Sequence, residues 1–168
     1  MLKINLPSPF KIGWQHSKLA YLPNQTPQVK GKIGVSIVNE LIKDSEIISD
    51  QGDLLIADSK RSEVKTALFN FKTKKYWWNQ IRPKQSGWTM LHLVAIHPDF
   101  ISVYEFNREQ VERMFKDTEL CKAGHTGTND LFEICCTVNS KRNTLNKLSY
   151  YGELICHTPI ESIEVGNE

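Results

Sequence analysis

The chain has 168 residues, of which 40% are hydrophobic and 24% charged, with 21 basic residues against 19 acidic ones for a net charge of +2. That length suits one domain, and the apolar fraction builds a core without approaching the roughly 18-residue apolar runs of membrane-spanning helices. So small a net charge excludes a chain that is polycationic overall, and it leaves the distribution of charge as the informative quantity.

The first ten residues lack the apolar run of a signal peptide, so a soluble cytoplasmic protein with no membrane partner is expected. Residues 1–29 hold four of the seven prolines (Pro7, Pro9, Pro23 and Pro27) and show no steady apolar period, as suits an arm that wraps a core built by later residues. Ile33, Ile37, Val38, Leu41 and Ile42 fall at helical spacing and predict a first helix over 30–43. After a polar turn, residues 53–57 read as a short buried strand. Residues 63–69 read as a second strand across the polar turn 58–62, and together the two predict a β-hairpin. Residues 72–82 are expected to form a helix that stops before Pro83. Two strands follow at 90–96 and 101–106, and Asn107 is a good N-cap for a helix from Arg108 to about Phe115. Beyond lie a Gly- and Thr-rich loop at 124–129, a strand at 131–138, a polar loop at 139–146 and a strand-like piece at 154–156. Helix, hairpin, helix, hairpin, helix is the order of an α/β fold with a mixed sheet.

Charge is uneven along this order. Residues 60–84 carry eight basic residues against Glu63 alone, a net +7, interleaved with Phe69, Phe71, Tyr76, Trp77 and Trp78. That mixture points toward nucleic acid, with Lys72, Lys74, Lys75 and Arg82 as phosphate contacts. Trp77 and Trp78 are expected to serve in packing rather than base stacking. The cysteines (Cys121, Cys135, Cys136 and Cys156) all lie in the last third and are expected as reduced core thiols. With no Cys-x2-Cys pair, and with Cys135 and Cys136 pointing to opposite faces of a strand, they do not suit a zinc site.

Glu63 and Lys65 are two residues apart and so share one face of a strand. Asp53 opens the preceding strand, and the short turn brings its carboxylate beside Glu63. Two carboxylates and an ammonium are what metal-assisted phosphodiester hydrolysis requires: hard oxygen ligands for Mg2+, and a group that orients the attacking water. The Val64 carbonyl between them is a further candidate metal ligand. The same residues also suit the solvent face of an edge strand on which charges neutralise one another, and the chain would then be a non-catalytic DNA- or protein-binding module.

The order of a helix carrying Glu40, a strand opened by Asp53, a strand with Glu63-Val64-Lys65, an aromatic and basic helix and a strand pair resembles the PD-(D/E)XK nuclease superfamily over residues 30–115. The tract Tyr76-Trp77-Trp78-Asn79-Gln80-Ile81-Arg82-Pro83, with Trp88 and the strands after it, is similar to stretches of some type II restriction endonucleases. The resemblance implies a restriction-endonuclease-like mixed central sheet flanked by helices in one nuclease domain over 1–168, cleaving double-stranded DNA with Mg2+. It implies that Asp53 and Glu63 hold the metal, that Lys65 positions the water, that Glu40 completes the metal shell and that Gln80 reaches the phosphate or the water. Gly52 precedes Asp53 where the superfamily pattern has proline. A DNA repair or phage nuclease of the same fold fits the same residues. One centre cuts one strand, so a chain this short is expected to act as a homodimer. Sequence reading is expected from 116–168, outside the common core, where Lys141, Arg142 and Asn143 lie in a stretch without acids and offer side chains suited to base edges.

Overall fold

The computed structural model describes residues 12–48, 53–57, 60–82, 87–123 and 131–164, and for Asp53 and Ala123 the backbone alone. The expected loop at 124–129 and the first eleven residues of the arm lie outside the described residues. Helix α1 spans Pro27–Leu41, starting earlier than the apolar period alone suggests. Thr26 caps it by accepting from the Val29 amide, and Pro27 occupies the first helical turn, where its missing N–H costs nothing. Val35 and Val38 are its buried face.

Strands β1 (Glu46–Ile47), β2 (Asp53–Ile56) and β3 (Lys60–Leu68) follow. The hairpin expected from 53–57 and 63–69 is the antiparallel pair β2–β3. Next in the chain is β4 (Lys75–Ile81), then β5 (Met90–Ile96) and β6 (Phe100–Asn107), antiparallel to each other. Asn107 caps α2 (Arg108–Met114) through a full capping box with Gln110. The last third supplies β7 (Cys121–Ala123), β8 (Phe132–Asn139), β9 (Arg142–Asn143), α3 (Leu148–Tyr151) and β10 (Glu153–Pro159).

These strands form a mixed α/β architecture. A six-stranded sheet has the order β1-β2-β3-β5-β6-β10, parallel between β3 and β5 and antiparallel elsewhere. A second sheet has the order β4-β8-β7, with β9 beside β8. One core lies between the sheets, where Ala67, Leu93 and Tyr104 meet Tyr76, Trp78, Ile134 and Cys136, closed by Val111 of α2 and Leu148 of α3. The other lies on the opposite face of the large sheet, where Val64, Leu68, Val94 and Val103 meet Val35 and Val38 of α1. Trp14, Leu19 and Leu22 of the N-terminal arm complete it. Gly34 makes this packing possible, because a Cβ there would lie 1.8 Å from the Thr66 hydroxyl oxygen.

The helix expected over 72–82 is not formed; residues 75–81 are a strand. Tyr76 and Trp78 point inward and Trp77 and Asn79 outward, the two-residue alternation of a half-buried strand. At Gln80 the backbone turns left-handed (φ 58°), and the register with β8 shifts by one residue between Trp78 and Ile81. This β-bulge returns Ile81 to the buried face and gives Trp78 and Ile81 a separation of three, which in sequence imitates a helix. Trp78 is core, its indole N–H donating to the Val94 carbonyl at 3.0 Å, whereas Trp77 lies 46% exposed with its N–H on Glu133. No helix among the described residues is long and apolar enough to cross a membrane.

Candidate active site

The β2–β3 register sets Asp53 directly opposite Glu63. Side chains alternate along β3, so Glu63, Lys65 and Ala67 share the face turned toward the second sheet, and Ser62, Val64 and Thr66 share the face under α1. Lys65 Nζ is 2.5 Å from Glu63 Oε1, with the two side chains 20% and 19% exposed. Across β5 and β6 their neighbours on this face are Leu91 and Leu93, then Phe106 and Tyr104, all buried. The ion pair therefore stands at the margin of an apolar layer, where a charge is worth more than in open water. At Glu63 β3 is paired on both sides, with β2 and with β5, and Lys65 is paired with Leu93 of β5.

The other expected site residues fall in three places. Val64 adjoins the pair, with its side chain buried on the opposite face. Glu40 is exposed on α1, the helix that covers that opposite face, and the structure does not bring it together with Glu63. Gln80 and Arg82 are exposed at and beyond the end of β4, which runs back toward the Glu63 end of β3: Trp78 already lies beneath Val94, the neighbour of Thr66. Lys72 and Lys74 are exposed, and Lys75 half-buried, at the far end of β3. The turn there is folded by Asn70, whose side-chain oxygen accepts from the Lys72 and Thr73 amides, and the Lys74 ammonium lies over the Phe71 ring.

Lys141, Arg142 and Asn143 are exposed at the tip of the β8–β9 hairpin, where the Asn139 side chain accepts from the amides of Lys141 and Arg142. Two of the three are already engaged. Asn143 Oδ1 accepts from the Leu145 amide, and the Arg142 guanidinium donates to Glu119. Lys147 donates to the same carboxylate, and hydrogen bonds from Lys147 and Arg142 hold Glu119 below the usual carboxylate range. Lys147 was not singled out by sequence. Among the described side chains, which exclude that of Asp53, no three acidic, histidine or cysteine groups converge on one point.

Sequence reasoning also missed a polar chain that crosses three strands. Ser62 and His92 are fully buried, and Ser62 Oγ lies 2.5 Å from His92 Nδ1. His92 Nε2 lies 2.9 Å from Glu105 Oε2. Its hydrogen bond to His92 holds the Glu105 carboxyl below its usual range, against the opposing effect of burial. An ionised carboxylate only accepts, so Nε2 carries a proton, and in the neutral ring Nδ1 accepts from the Ser62 hydroxyl. The one sequence signal was a histidine amid the apolar run Met90-Leu91-His92-Leu93-Val94.

Comparison with protein-family models, with curated proteins and with solved structures finds no match.

Proposed function

We propose that the protein is a magnesium-dependent endonuclease of the PD-(D/E)XK kind that hydrolyses double-stranded DNA at a specific sequence, as type II restriction enzymes do, with Asp53, Glu63 and Lys65 as its cutting centre. The observation that carries this reading is the strand register: Asp53 stands opposite Glu63, and Lys65 follows on the same face of β3. The helix that precedes these strands and the parallel return of β5 beside β3 suit the same reading. The donors fit a hard cation, because the Glu63 carboxylate and the Val64 carbonyl are oxygen ligands and the Asp53 backbone faces Glu63. A bound Mg2+ would supply Lewis-acid stabilisation of charge on the phosphorus centre. Lys65, whose ammonium already meets the Glu63 carboxylate, would orient the attacking water beside that carboxylate and offset charge developing on the phosphate. Lys72, Lys74, Lys75 and Arg82 are assigned to the DNA backbone, and two copies of the chain to the two strands.

The direct Glu63–Lys65 contact favours one rival, a non-catalytic DNA- or protein-binding module in which each charge neutralises the other. Incubation with plasmid DNA separates the two. The nuclease gives discrete fragments with Mg2+ or Mn2+, none with a chelator, and binding without cutting in Ca2+. Lys65→Ala lowers the cutting rate by at least about 100-fold while leaving circular dichroism and Ca2+-supported DNA binding intact. A Lys65→Ala protein that cuts at the normal rate removes the assignment, and a wild type that binds DNA but never cuts favours the module.

A further inference from the structure

We infer that His92, held between Ser62 and Glu105, is a positioning residue for the Glu63–Lys65 pair, an inference that rests on the nuclease reading above. The large-sheet face under α1 is mostly apolar where these strands meet, with Val64, Leu68, Val94, Ile96, Ile101 and Val103 in its core and Thr66 among them. An apolar residue at position 92 would suit this layer only if positions 62 and 105 were apolar as well. Burying serine and imidazole instead requires every polar atom to find a partner, and here each does: 2.5 Å from Ser62 Oγ to Nδ1, and 2.9 Å from Nε2 to Glu105.

The place of this chain in the register gives it an effect. Ser62 pairs with Met90 at the first register pair of the parallel β3–β5 ladder, and among the described residues β2 meets β3 over Lys60, Arg61, Ser62 and Glu63. Glu63 thus lies one residue inside the start of the parallel ladder, and parallel pairing is the weaker kind. Ser62 and Glu63 are consecutive and point to opposite faces, so rotating the strand at one rotates it at the other. Fixing the Ser62 hydroxyl on an imidazole, itself fixed by a carboxylate two strands away, holds the Glu63 carboxylate and the Lys65 ammonium in one orientation on the far face. Hydrogen-bond partners behind a metal-binding or catalytic group typically contribute about 10- to 100-fold in activity or metal affinity.

The test replaces His92 by leucine, which fills similar space without polar atoms. The His92→Leu protein is expected to bind plasmid DNA in Ca2+ within about 2-fold of wild type, yet to cut about 10- to 100-fold more slowly in Mg2+. Amide hydrogen exchange at residues 62–65 is expected to rise while residues 66–68 stay protected. Glu105→Gln keeps an acceptor for the Nε2 proton and is expected to retain most of the cutting rate, whereas Glu105→Leu is expected to fall with His92→Leu. Should His92→Leu not fold, Ser62→Ala, which removes one oxygen atom, carries the same comparison. Unchanged exchange at 62–65 overturns the inference whatever the cutting rate, as does a loss of DNA binding in step with the loss of cutting. If the wild type cuts no DNA, the nuclease reading fails, and exchange at 62–65 alone decides whether His92 positions this stretch.

Discussion

Arg142 and Lys147 both donate to the Glu119 carboxylate, so a phosphate approaching the β8–β9 hairpin competes with a negative charge already in place. Lys147 also lies 3.5 Å from Asp117, whose carboxylate accepts from the Tyr151 hydroxyl. These groups are largely at the surface, where ion pairs are weak and readily exchanged. Replacing Glu119 by glutamine should therefore leave the fold intact and release two cations toward DNA. The expected result is several-fold tighter duplex binding at low salt, measured by fluorescence anisotropy in Ca2+. The gain should vanish in a protein that also carries Arg142→Ala and Lys147→Ala. A gain that persists there would come from net charge alone and would detach the hairpin from DNA contact.

At the scale of elements, α1 is seated on the large sheet through one close approach. A Cβ at position 34 would fall 1.8 Å from Thr66 Oγ1, and that hydroxyl is itself buried without a hydrogen-bond partner. Gly34→Ala should gain about 1 kcal/mol in helix propensity and lose about 1–3 kcal/mol to overpacking. The expected net result is a lower urea midpoint, with most of the loss recovered when Thr66→Ala is added. A Gly34→Ala protein more stable than wild type would mean that α1 lies farther from β3. The neighbouring elements explain what sequence could show. The hairpin bearing Asp53, Glu63 and Lys65, the strand pair β5–β6 and the Asn107-capped helix were legible because each depends on local alternation, turn residues or a cap. Strand β4 was not, because the bulge at Gln80 placed Trp78 and Ile81 at a helical separation. The Ser62, His92 and Glu105 chain was also out of reach. Its members are 30 and 13 positions apart, and their meeting depends on β5 lying beside β3 while β4 leaves for the second sheet.

For the whole molecule, the basic side chains assigned to DNA mark both ends of β3: Lys72, Lys74 and Lys75 around its far turn, and Arg82 beyond β4. Phosphate contacts release counterions, so affinity falls with salt by a logarithmic slope of about 0.9 per phosphate neutralised. Changing Lys72, Lys74 and Lys75 together to glutamine should weaken binding to all sequences alike and flatten the slope by about two to three. An unchanged slope in a salt titration would make this turn ordinary solvated surface. The layering of the two sheets has a consequence of another kind, in time. β4 finds its sheet neighbour only in residues 132–139, and β6 gains its outer partner only in 153–159. A chain emerging from the ribosome thus displays Asp53, Glu63 and Lys65 long before it holds the strands that roof and flank them. In the proposed nuclease, cutting power should therefore arrive only after residues 132–159 have been made and have taken their places in the two sheets.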